Sequence, residues 1–220
     1  MTFPFEHTGL WQRSLGATAG TPNVSEKARL CTTLETFRAR VQVLVARISH
    51  ALPDLTVHDI THLDAMWETA DVIAGPDYPI NPMEAFVFGG AVLLHDAGLC
   101  FEAYDSGLAG VRQTVEWRDA YAAEIEHNHD APSKDIEAAA DFSALRMLHA
   151  NHAAILADRS WQDPDVHTQM FLIEDHEIRK RYGGAHQKYR GISPLDNRRG
   201  FVTPSCSGKC LRGLPCRLAR

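Results

Sequence analysis

Apolar positions along the chain recur at three and four residue spacings almost throughout. The stretch beginning at Ser25, with Glu26 in its first turn, places Leu30, Leu34, Phe37, Val41, Leu44, Val45 and Ile48 on one face, which predicts a long amphipathic helix capped by Ser25. Leu52-Pro53-Asp54 ends it, because proline cannot continue the hydrogen-bond ladder and pushes its predecessor toward extended geometry. HDITHLDAMWETADVIAG predicts a second helix stopping at Gly75. After the GPDYPINP loop, Asn81 as cap and Pro82 at the first helical position open MEAFVFGGAVLLHDAGL. That segment is apolar almost all round, which predicts the central, buried helix. Segments 110–127, 134–158 and 164–183 also read as helical, strand alternation is nearly absent, and no internal repeat is present. The expected fold class is all-α, a helical bundle.

Residues 1–24, rich in Gly, Thr and Pro, read as an irregular arm whose Phe5 and Trp11 dock on the body. The body is expected to span 25–184, followed by a tail over 185–220 in which the helical period is lost after Gly183-Gly184. The overall charge of −6 is unevenly spread. From Arg179 onward there are 11 Lys and Arg against Asp196 alone, leaving 11 basic and 27 acidic residues before it. An acidic body disfavours nucleic-acid binding, which needs a basic face. No run of eighteen apolar residues exists and the N-terminus lacks a signal-peptide pattern, so no membrane association is expected. Cys31 and Cys100 lie far apart, and Cys206, Cys210 and Cys216 cluster without a C-x-x-C element; this is neither a disulfide framework nor a zinc motif, and it fits a reducing cytoplasm.

Chemistry concentrates in the two apolar helices. His95 and Asp96 sit in the most apolar segment, where an unsatisfied polar group costs on the order of 1–3 kcal/mol. Neighbouring helical residues point about 100° apart, so both reach one ion only where the helix ends, for which Ala97-Gly98 supplies a stop. His62 from the preceding helix adds a nitrogen, giving an N/O donor set that suits Mn, Fe, Zn, Ni or Mg. His58 lies one turn before His62 and shares its face. Glu124, Glu126, His127, His129 and Asp130 show no ligand spacing and read as a solvated connection.

THLDAM at His62, LLHDAG at His95 and Asp96, and the downstream LRMLHANHA together resemble the HD superfamily of metal-dependent phosphohydrolases. The resemblance is strongest to the variety found beside GHKL-type ATPases, and it covers roughly residues 25–184. It implies an all-α bundle in which His62, His95 and Asp96 hold a divalent metal ion. It also implies hydrolysis of phosphate esters, often of nucleotides. His149 matches a histidine near the site in this subgroup, and His58 is a candidate catalytic residue contacting phosphate or supporting a ligand. The expected ligand is a small phosphorylated molecule or nucleotide. The alternative is a nucleotide-sensing module reporting to an ATPase domain or partner; a third class, nucleic-acid binding through the basic tail, predicts steep salt dependence.

The resemblance implies a later His-His motif and a final Asp ligand, which this chain lacks after residue 184. FLIEDHEIRKRYGG resembles the family's segment before that motif, yet the chain continues YRGISPLDN. Residues 191–197 can be encoded GGC ATC TCA CCA CTG GAC AAT, and removing the first base gives Ala-Ser-His-His-Trp-Thr. The expectation is a frameshifted, truncated HD-domain protein of weak or absent activity, with His149, His152 or Asp175 as candidate substitutes for the missing ligand.

Overall fold

The computed structural model describes residues 4–16, 23–53, 55–163 and 165–190, with side chains through 184. The Cys206, Cys210 and Cys216 cluster and most of the basic tail lie outside the described residues. A 3-10 turn at Pro4–His7 leads to α1 (Gly9–Ser14), α2 (Val24–Val45), α3 (Ile48–Ala51), α4 (Ile60–Ala74) and α5 (Pro82–Leu94). Two further 3-10 turns, Ala97–Leu99 and Phe101–Ala103, connect to α6 (Gly107–Arg112), α7 (Val115–His127) and α8 (Ser133–Leu156). A short antiparallel hairpin, β1 (Ser160–Gln162) with β2 (Gln169–Phe171), precedes α9 (His176–Arg190). The all-α expectation holds apart from that hairpin.

α2 buries Leu30, Leu34, Phe37, Val41, Leu44 and Val45, the face its spacing predicts. Its cap, however, is Asn23 in the left-handed region at φ 64°, two residues before Ser25. The helix also stops at Val45, and α3 carries the chain to Leu52. At α5 the expected Asn81 cap and Pro82 in the first turn are present, and Glu84 adds a reciprocal bond that the sequence reading did not include: Asn81 Oδ1 accepts from Glu84 N and the Glu84 carboxylate accepts from Asn81 N, both at 2.9 Å. α5 packs against α2, α4 and α9, and Gly90 permits the last approach, since a Cβ there would collide with the Tyr182 ring.

α4 is tied down from both sides. The buried pair Arg38–Asp64, with Nε to Oδ1 at 2.8 Å, joins it to α2. At its far end the Asp71 carboxylate accepts from Gly9 N and Leu10 N at 2.9 and 2.6 Å, fixing α1. Phe5 and Trp11 are 3% and 5% exposed, and both rings lie against Trp67 at 5.5 and 5.6 Å. The arm therefore docks as expected but is helical where described, because Thr8 caps α1 through Trp11 N.

Other stretches also depart from the expected pattern: the segment 110–127 divides into α6 and α7 at Gln113-Thr114, where Thr114 caps the second helix. Residues 160–171 were expected to be partly helical but form the hairpin. Its strands are three residues long, and Asp163 Oδ1 accepts from Asp165 N and Val166 N to turn the chain between them. Trp161, 5% exposed, anchors the hairpin in the core. At a third stretch, Gly183-Gly184 does not end α9, which continues to Arg190. Gly183 marks a close approach, since a Cβ there would lie 2.8 Å from the Asp158 carboxylate.

Candidate metal centre

Asp59 caps α4 by accepting from Thr61 N and His62 N, which sets the first turn carrying His62 at the same end of the bundle as the C-terminus of α5. α5 ends at Leu94, so the His95-Asp96 pair occupies the exit itself, slightly before the expected stop at Ala97-Gly98. There His95 keeps helical angles, φ −57° and ψ −37°, while Asp96 turns to φ −101° and ψ −6° and enters the 3-10 turn. This bend lets adjacent side chains face one point.

His62, His95 and Asp96 each bring one ligand atom into a group whose members all lie within 4.8 Å of one another. His95 Nε2 stands 2.8 Å from Asp96 Oδ2, and His62 Nε2 stands 3.6 Å from the same oxygen. Ligands bonded at about 2.0–2.2 Å to one ion, at right or tetrahedral angles, lie roughly 3–3.5 Å apart. The observed separations bracket that range. His58 Nε2 approaches Asp96 Oδ2 from a third side at 4.0 Å.

The hydrogen bonds around these rings decide which nitrogens face the centre. His95 Nδ1 donates to Val92 O at 2.7 Å, and His58 Nδ1 donates to Thr56 O, so in their neutral forms both turn an Nε2 lone pair inward. Asp96 Oδ2 is buried, and among the described residues its one neighbour at hydrogen-bond distance is His95 Nε2 at 2.8 Å, which brings a proton to it only when the His95 ring is protonated. With His95 neutral, lone pairs face lone pairs across the centre, an arrangement that a proton on His95 or a bound cation relieves. Burial pushes the His95 imidazole down, but the Asp96 carboxylate and the Val92 carbonyl outweigh it and raise His95 above its ordinary value. Burial likewise pushes Asp96 up, and His95, with His58 and His62 beyond, overrides it and holds the carboxyl below the usual range. The centre therefore favours positive charge. On donor chemistry and spacing, the residues present fit a divalent ion.

The other candidates lie elsewhere. His149 is outside the three-residue group, and its Nδ1 donates to Arg146 O at 2.7 Å. Its backbone does abut the site: a Cβ on Gly98 would fall 2.6 Å from His149 O, so only glycine lets α8 close on the turn after Asp96. His152 Nε2 bonds Ala103 O and its ring stacks on Tyr104 at 3.9 Å, a satisfied packing position. Asp175 caps α9 and is held by Arg29 at 2.6 and 2.7 Å, so it does not replace a missing ligand. His127, His129 and Asp130 are exposed, as expected for a solvated connection.

Sequence reading did not find the Thr56 carbonyl that orients His58, or the Gly98 contact. The Gly in LLHDAG was the available signal for the latter, read there as a helix stop.

A helical bundle with one histidine on α4 and a His-Asp pair at the exit of α5 defines an HD-type domain. The chain belongs to the HD-CE family, whose sequence profile matches residues 52–193. That span begins inside the expected 25–184 domain and extends past its end. No curated protein and no solved structure matches the chain. No helix among the described residues is long and apolar enough to cross a membrane.

Proposed function

We propose that this domain is a metal-dependent phosphohydrolase centre in which His62, His95 and Asp96 hold one divalent ion and a phosphate ester, such as a nucleotide, is the substrate. The observation that carries it is the convergence on the buried Asp96 Oδ2 of three imidazole Nε2 atoms within 4.0 Å, two of them in one three-residue ligand group with it. A divalent ion bound there supplies Lewis acidity toward phosphoryl oxygens and lowers the pKa of water. The protein's own part is orientation: Val92 O fixes the His95 ring, the Asp59 cap fixes the start of α4, and the 3-10 turn holds Asp96 at the helix exit. His58, with Nε2 presented by Thr56 O, is placed to contact a phosphate oxygen or move a proton. It takes that role ahead of His149, whose imidazole has no recorded contact with the group.

Among the described residues the ligand group comprises three members, with no second carboxylate. In this reading the shortened donor set makes the chain a weak hydrolase. The family profile ends at residue 193, within the stretch where the shifted-codon reading recovers a His-His-Trp sequence. The same domain would work beside a GHKL-type ATPase domain or partner, as THLDAM and LLHDAG imply by resemblance. Phosphate release from a nucleotide panel, measured with Mn²⁺ for the chain and for His95→Ala, tests the reading. Metal-dependent release lost in His95→Ala supports it; release unaffected by that change rejects it.

A further inference from the structure

A cavity of about 460 Å³ lies where the Phe101–Ala103 turn, the start of α6, the end of α8 and the β1–β2 hairpin meet. None of His58, His62, His95 or Asp96 lines it. Its volume falls within the roughly 300–1,000 Å³ of small-molecule sites. Glu102, Tyr104, Arg159, Trp161, His167 and Gln169 are among its walls.

Two of these residues carry buried polar atoms of opposite kind without a partner. Trp161 is 5% exposed, and among the described residues its Nε1 finds no acceptor and Glu102 Oε2 finds no donor. Buried donors and acceptors are almost always paired, since each left open costs stability. Both residues border the same cavity, so an unpaired donor and an unpaired acceptor belong to its walls. The surrounding surface is suited to a flat ring, with Tyr104, Trp161 and His167 as aromatic or imidazole walls and Arg159 beside Asp105.

We propose that this cavity is a second small-molecule site, taking a planar heterocycle that presents an acceptor next to an N–H donor, as a nucleobase edge does. The acceptor meets Trp161 Nε1 and the N–H meets Glu102 Oε2. Both protein atoms are shielded from solvent, so binding includes a rearrangement that turns both the Glu102 carboxylate and the Trp161 indole N–H toward the cavity. The site stands apart from the histidine centre but is linked to it, because Tyr104 Oη donates to Gly98 O at 2.9 Å, two residues after Asp96.

The test uses the full chain, ¹⁵N-labelled and kept in EDTA, with adenosine, guanosine, cytidine and uridine 5′-monophosphates as probes. The chain has 4 tryptophans, and the indole N–H signal of Trp161 is assigned by its loss in Trp161→Phe. At least one probe is expected to shift that signal, to bind about tenfold more weakly to Glu102→Gln and to Trp161→Phe, as loss of one hydrogen bond requires, and to bind Asp96→Asn as it binds the wild type. Absence of any shift with all four probes overturns the proposal. Binding that survives Trp161→Phe and Glu102→Gln but disappears in Asp96→Asn also overturns it, and places the ligand at the histidine centre instead.

Discussion

His95 Nε2 and Asp96 Oδ2 stand 2.8 Å apart while the proton of the neutral ring is held on the opposite nitrogen by Val92 O. Two consecutive side chains are thereby aimed at one point, with no proton between them while the His95 ring is neutral. That arrangement is possible because α5 ends at Leu94 and the backbone turns at Asp96.

His58 contributes to this centre differently from His62 and His95. Its Nε2 is 4.0 Å from Asp96 Oδ2 and it is not in the three-residue ligand group. We expect His58→Ala to retain bound Mn²⁺ and to lower phosphate release by about 10-fold to 100-fold, the usual cost of losing a supporting group. Metal content and turnover measured on the same sample check it; loss of the ion as complete as in His95→Ala would make His58 a ligand.

The contact of Gly98 with His149 should be visible as stability. In Gly98→Ala a new Cβ meets His149 backbone at 2.6 and 2.8 Å, and backbone cannot rotate away as a side-chain tip can. A loss of about 1–3 kcal/mol is expected. Gly184→Ala meets nothing within 4 Å on a continuous helix and should gain roughly 0.5–1 kcal/mol. Urea midpoints of the two variants check both signs, and a destabilised Gly184→Ala would argue against α9 continuing past residue 184.

Asp175 gives the pH dependence. The hydrogen bond from Arg29 outweighs the small cost of burial and, with Ile178 N and Glu177 N, holds its carboxyl below the ordinary value. A carboxylate depressed on folding contributes stability that is full above its unfolded pKa and lost as pH falls through the folded one. Asp175→Asn should therefore lower Tm at pH 7 and cost progressively less on acidification below the normal Asp range. Equal deficits at pH 7 and at acid pH would contradict the assignment. Asp175→Ala, which also removes the helix cap, should cost about 1 kcal/mol more than Asp175→Asn.

Much of this was legible because the signals are local. Asn81-Pro82 specifies a helix start by itself, and the spacing of Leu30, Leu34, Phe37 and Val41 specifies a buried face. That His95 and Asp96 could share one point was legible from a polar pair at the end of an apolar helix, and that His62 joins them was legible from the resemblance carried by THLDAM and LLHDAG. What escaped depends on partners distant in sequence. Gly183 breaks the helical pattern on paper, but Asp158 occupies the space a side chain would need. The hairpin of β1 and β2 has strands too short for alternation, and its turn is held by the Asp163 carboxylate together with backbone bonds from Asp163 N to Thr168 O and from His167 N to Asp163 O. α2 begins after Asn23, which sits in the left-handed region and makes no side-chain cap bond, whereas Ser25 offered the commoner capping chemistry.

Titration of the EDTA-stripped chain with Mn²⁺, followed by the loss of free-ion EPR signal, tests the central claim most directly when run beside Asp96→Asn and Asp175→Asn. The account predicts one bound ion per chain, affinity reduced at least about 100-fold in Asp96→Asn, and unchanged affinity in Asp175→Asn. Equal Mn²⁺ binding by the wild type and Asp96→Asn, or no binding by the wild type, would contradict it.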